Sequence, residues 1–171
     1  MKHLPKPLPV AGGLTAAAAL TAGLLLFEPW RLVTSTTVTE QLVTTGVPAA
    51  PAGRIAAGPV VLGGGGFQSL EHETTGAAQL VRLPGGEHVV QFAGLATSDG
   101  PDLHVYLSPH PATAGEGAFA TGFTSLGELK GNRGNQVYPV PAGADVASMR
   151  SVVIWCKRFS TGFGVAPLTS S

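Results

Sequence analysis

Ser-Val-Val-Ile-Trp-Cys-Lys-Arg-Phe, residues 151–159, is the stretch that decides the fold. A β-branched run followed by an indole favours an extended chain over a helix. Alternate side chains of a strand share a face. Val152, Ile154, Cys156 and Arg158 therefore fall on one side, and Val153, Trp155, Lys157 and Phe159 on the other. Both sides begin apolar and end cationic. That pattern predicts a central strand over 149–159, covered on both faces, whose C-terminal end approaches solvent.

Working outward, further short apolar runs predict strands near 66–70, 77–83, 87–94, 102–108, 136–140 and 162–168. Pro84-Gly85-Gly86, Ser98-Asp99-Gly100-Pro101, Gly131-Asn132, Gly134-Asn135 and Pro141-Ala142-Gly143 supply the turns between them. No sustained helical period occurs in this region. Strands about ten residues apart without intervening helices indicate an all-β antiparallel sandwich or flattened barrel. Pro139 cannot donate to a ladder, so its strand should be an edge or should end there. Residues 58–171 are enough for one sandwich-sized core and not for two domains.

The N-terminal part reads differently. Val10 to Phe27 is uncharged and apolar, at the lower limit for a bilayer-spanning helix. Lys2 and Lys6 precede it, while Glu28 and Arg31 roughly cancel after it, so residues 1–9 are expected in the cytoplasm. No small-residue cleavage site follows the apolar core, which favours an uncleaved anchor over a signal peptide. Residues 28–57 read as a stalk: Thr-rich Val33 to Thr45 could pair or coil weakly near the membrane, and the Pro, Ala and Gly that follow have almost nothing to bury. A flexible linker of roughly 35 residues would span about 30 Å. The expected arrangement is a single-pass cell-membrane protein with residues 58–171 outside the cytoplasm.

The chain carries 10 basic and 10 acidic residues, formally neutral, with no basic cluster longer than Lys157-Arg158. That argues against nucleic-acid partners and polybasic lipid recognition. Cys156 is the only cysteine. An exported lone thiol is a packing residue, an intermolecular partner, a metal ligand or a redox group. For the redox role, Arg158 is the candidate thiolate stabiliser, two residues on and on the same strand face. His72, between Glu71 and Glu73, is either a site-rim proton acceptor or ligand, or part of a polar strand end and turn. Asp102 and His104 share a face with Tyr106. That is either a solvated face or a carboxylate orienting an imidazole. Gly131-Asn132-Arg133-Gly134-Asn135 lacks the helix and lysine of a phosphate loop and reads as a positive-φ turn. Blue copper is disfavoured because no His or Met follows Cys156. No catalytic motif stands out and no cofactor is identified, while haem or a metal on His72, His104 and Cys156 stays open.

Gly-Gly-Phe-Gln-Ser-Leu-Glu-His-Glu-Thr-Thr-Gly (65–76), Gly-Pro-Asp-Leu-His-Val-Tyr-Leu-Ser (100–108), Leu-Lys-Gly-Asn-Arg-Gly-Asn-Gln-Val-Tyr-Pro-Val-Pro (129–141), the 151–159 strand and Phe-Gly-Val-Ala-Pro-Leu (163–168) occur in that order. Together they resemble the electron-transfer DM-thirteen domain, and the anchor and stalk resemble membrane-anchored bacterial members. The resemblance implies an extracytoplasmic β-sandwich whose Trp-Cys strand takes part in redox chemistry, a role that would fall to Cys156. In animals and plants the domain looks like a companion of DOMON domains and transmembrane b-type cytochromes. Here it implies a separate redox partner protein. Two functions follow as expectations: a membrane-tethered redox domain acting through Cys156, or a non-catalytic envelope binding module with Cys156 in its core.

Overall fold

In the computed structural model, which describes residues 21–22, 34–43 and 58–170, ten strands form two five-stranded sheets. They are β1 (Thr37–Thr39), β2 (Val60–Gly66), β3 (Gln68–Ser69), β4 (Thr75–Arg82) and β5 (His88–Ala96). Then come β6 (Leu103–Ser108), β7 (Thr124–Glu128), β8 (Arg133–Pro139), β9 (Ser151–Cys156) and β10 (Thr161–Pro167). One sheet runs β1-β8-β5-β4-β2 and the other β3-β10-β9-β6-β7. The fold is all-β as expected, an open two-sheet sandwich and not a closed barrel. Every strand pair is antiparallel except β1 with β8, which is parallel.

The 151–159 strand is central, between β10 and β6, but shorter than expected. It stops at Cys156, because Lys157 to Ser160 turn and Ser160 adopts φ 52°. Strand parity holds as far as Cys156. Ile154 and Cys156 join Leu80, Phe92, Leu95 and Tyr138 of the facing sheet in the main core. Val153 and Trp155 face the other way and pack with Tyr106, Phe119 and Val165. This second cluster has a lid: the β6–β7 connection brings Phe119, itself fully buried, from a short 3-10 helix at Glu116–Ala120. Phe159, expected beside Trp155, is instead 55% exposed.

Ahead of the first strand expected, near 66–70, the chain already forms β2; the glycine run 63–66 lies inside it, and at 63 to 65 there is little room for side chains. A Cβ at Gly63 would press on the Leu168 backbone, and one at Gly65 on Pro167. The glycines let the β2 edge of one sheet meet the end of β10 in the other.

The larger correction concerns the stalk. Thr34–Val43 is no free linker: β1 adds to the outer edge of β8, in register from Thr37 with Arg133 to Thr39 with Asn135. Gly131 and Gly134 make room, since Cβ atoms there would strike the backbone of Thr36 and Val38. Past β1 the backbone amide of Val137 is capped by Glu40 Oε2 at 2.6 Å, and Pro139 ends β8 with no donor to satisfy. Glu40 also accepts from Lys130 Nζ at 2.7 and 3.0 Å. An otherwise unpaired edge, the usual template for aggregation, is thereby closed. Residues 10–27, expected as the anchor, lie outside the described residues except for the helical Thr21 and Ala22. Among the described residues no helix is long and apolar enough to cross a membrane.

Two outcomes follow. The Lys130 ammonium, aided by the Val137 amide, holds the Glu40 carboxyl below its ordinary value against the opposing effect of burial. A carboxyl with a depressed folded pKa stabilises above its unfolded pKa and loses that effect as pH falls through the folded one. Glu40→Gln should lower stability by about 1 kcal/mol at neutral pH, less at high salt, with the difference vanishing in acid. Thermal melts against pH check this. Trp155→Ala should cost about 3–5 kcal/mol, as for other buried aromatics. A loss under about 1 kcal/mol in denaturant titration would mean that the second cluster contributes little.

Candidate functional site

The thiol of Cys156 is fully buried. Its cross-strand neighbours are Leu103 on β6 and Thr161 on β10. Leu103, Ile154 and Phe163 belong to the same apolar cluster. Arg158 does not share its face, because the strand has ended; Lys157 and Arg158 both lie in the exposed turn. The backbone amide of Lys157 instead donates to the carbonyl of Asp102 at 2.9 Å, which ties the end of β9 to the loop before β6.

That loop forms the roof at this end of the core. Gly100 is buried, and a Cβ built on it would meet Leu103 Cδ2 and Phe163 Cζ, both at 3.0 Å. Gly100 therefore rests directly on two members of the cluster that encloses Cys156. Above it opens a cleft of about 300 Å³, bounded by Asp99–Leu103, Glu128–Asn132 and Thr36. A second cleft of about 350 Å³ lies beyond Asp99 and Asn132, lined by Thr34, Glu73, Thr97 and Arg133 among others. Cys156 is thus at the end of its strand, and Leu103, its cross-strand neighbour, lines the cleft. A mid-strand position such as Ile154 has no such neighbour.

The other candidates divide between the faces. His104 pairs across the sheet with Trp155, so it sits on the face opposite the thiol. Asp102 Oδ1 lies 2.8 Å from His104 Nε2, with the imidazole 13% and the carboxylate 33% exposed. Of the two readings of this pair, a solvated face or a carboxylate orienting an imidazole, the Asp102–His104 contact is present, but it does not reach Cys156. His72 stacks on Phe163 with ring centroids 3.9 Å apart. It thus touches the residue that packs with Cys156, and polar groups of the strand end surround it: Thr74 Oγ1 lies 3.2 Å from its carbonyl. Among the described residues no three His, Cys, Asp or Glu side chains converge as a metal site.

Sequence reasoning missed the aromatic stack on the His104 face. Tyr106 and Phe123 are parallel at 3.7 Å, and Trp155 lies 6.5 Å from Tyr106. Burial, and then the charge of Asp102, raises the Tyr106 phenol above its ordinary value, so it is neutral at physiological pH. Parity could place Tyr106 with Trp155 only once the β6–β9 register was known, and Phe123 belongs to a loop with no strand signal. On the opposite sheet Tyr138 donates to Gln136 Oε1 at 2.5 Å, and burial pushes its phenol up to about 12.

Comparison with protein families matches residues 66–168 to the family described as Electron transfer DM13. No curated protein and no solved structure shows a match to the chain. The match begins at the end of β2 and closes just after β10, taking in Cys156, its roof and both clusters. The chain belongs to the electron-transfer DM13 family.

Proposed function

We propose that residues 58–170 form an extracytoplasmic electron-transfer domain, tethered by residues 10–27, in which Cys156 is a guarded redox thiol. The observation that carries this reading is the position of Cys156 at the last residue of β9, beneath the Gly100 roof. In the closed form the thiol is inert. Lifting the Asp99–Asp102 loop would open a path past Leu103 to the cleft without unfolding either sheet, since local openings cost less than global ones.

The chemistry then has two forms. The Cys156 thiolate attacks one sulfur of a partner's disulfide, a mixed disulfide forms, and the other partner sulfur leaves as a thiolate. Alternatively peroxide oxidises the thiolate to sulfenate and is itself reduced to water. A single cysteine has no resolving partner within the chain, so a second molecule must complete either cycle. The tether is supported by the uncharged run 10–27 and by Lys2 and Lys6 before it.

A second reading is favoured by one observation, the complete burial of Cys156 among apolar side chains. Here the thiol is a small core hydrophobe and the domain a non-catalytic binding module of the cell envelope.

Alkylation of native full-length protein separates the two. The guarded-thiol reading predicts labelling slower than for a free thiol but faster than global unfolding, and independent of low denaturant. Gly100→Ala should speed it several-fold, because a methyl there must displace Leu103 or Phe163. Peroxide should yield a dimedone-trappable sulfenic acid that Cys156→Ala lacks. Labelling that proceeds only at the global unfolding rate, in both the parent and Gly100→Ala, would establish the inert core residue instead.

A further inference from the structure

At the edge where β2, the β10 tail and the β8–β9 connection meet, a groove of about 380 Å³ opens between the sheets. This is within the usual range of small-molecule sites, roughly 300–1,000 Å³. Leu80 and Met149, 3% and 8% exposed, are buried members of the main core, and Leu62, Val146 and Leu168 form partly covered apolar walls. Among the described residues the ionisable groups in its lining are His88 and Arg150, with no carboxylate. The groove takes its shape from Val146–Ser148, a single 3-10 turn that bridges the sheets.

Arg150 is held in place from both sides. Its backbone amide donates to Ser108 and its carbonyl accepts from Leu168, each at 2.8 Å. Its guanidinium Nη1 donates to the carbonyls of Ala147 and Met149 at 2.9 and 3.1 Å. Guanidinium carries five N–H donors, so part of the fork is left for a ligand. Among the described residues no carboxylate forms an ion pair with it.

We propose that this groove binds a free aliphatic carboxylic acid. Its hydrocarbon chain lies on Leu62, Leu80, Met149 and Leu168, and its carboxylate meets Arg150 at the rim near His88. One planar fork matches one carboxylate, whereas a polyanion would find a single guanidinium and several apolar walls. Apolar surface on the ligand is what those walls reward, so the class is an amphiphile and not acetate. This site lies on a different edge from the Gly100 roof and is independent of the redox reading.

The test uses full-length protein in nanodiscs and a diazirine-bearing fatty acid of medium chain length as the probe. Cross-links are expected at the Leu62, Met149 and Leu168 peptides. Decanoate should compete for them, while decanol and decylamine should not. Arg150→Gln should weaken competition by about tenfold, the effect of a lost charge-assisted pair. Ala147→Phe, which fills the groove and leaves Arg150 in place, should abolish labelling there with an unchanged melting midpoint. Decanol competing as well as decanoate would overturn the proposal. So would equal labelling of Ala147→Phe, or cross-links confined to residues 10–27.

Discussion

A buried polar chain at one end of the sandwich holds the N-terminal strap and both sheets in one arrangement. Asn132, 3% exposed, is its hub. Asn132 Oδ1 accepts from the Thr36 amide at 2.7 Å, and its Nδ2 donates to the Thr97 carbonyl at 3.1 Å. Thr97 Oγ1 lies 2.8 Å from Thr74 Oγ1, which donates to the Phe163 carbonyl at 3.0 Å. The chain therefore runs from strap to first sheet to second sheet. Buried polar atoms left unpaired cost about 1–3 kcal/mol each, and among the described residues no buried side-chain nitrogen or oxygen is left so. Moving any one member would leave its neighbours unsatisfied, so the arrangement is specified as a unit.

The small residues around this chain have a common cause. Gly164 must be glycine because a Cβ would strike the Thr74 side chain at its branch point, whereas at Gly162 a Cβ would displace only the tip of Leu70. β10 can thus pass close under the Thr74 hydroxyl and still present Phe163 to the core. Phe163 in turn supports Gly100 and stacks with His72. The result is a rigid frame around a single short loop. On the proposed reading, motion that exposes Cys156 would fall to Asp99–Asp102, since Ile154 and Val152 are locked in register on both sides.

Much of this was legible in the chain, and the failures have physical reasons. The β-branched run at 152–154 and its two-residue period identified a central strand and assigned Ile154 and Cys156 to one face correctly. Its end was misjudged, because the turn at Lys157–Ser160 has no Gly, Pro or Asn; Ser160 itself takes the positive φ. Arg158 was therefore placed with Cys156 when it lies in the turn. Pairing in Val33 to Thr45 was only one option in the sequence, and its partner was unreadable, because the strap is short and Thr-rich and buries little. Its signature sits a hundred residues away, in the glycines at 131 and 134 that make room for it. Spacing put Asp102 and His104 on one face but left their pairing open; the partner across the sheet, Trp155, fixes which face they occupy, and register is a long-range property.

The account stands on the roof over Cys156 opening while the frame beneath it holds. Amide hydrogen exchange of the full-length protein, resolved by peptide, measures this directly. The account predicts that amides of Asp99, Gly100 and Asp102 exchange through a low-energy opening insensitive to denaturant, while those of Val152 to Ile154 exchange only by global unfolding. Equal protection of the two segments, both lost together with the cooperative transition, would contradict it.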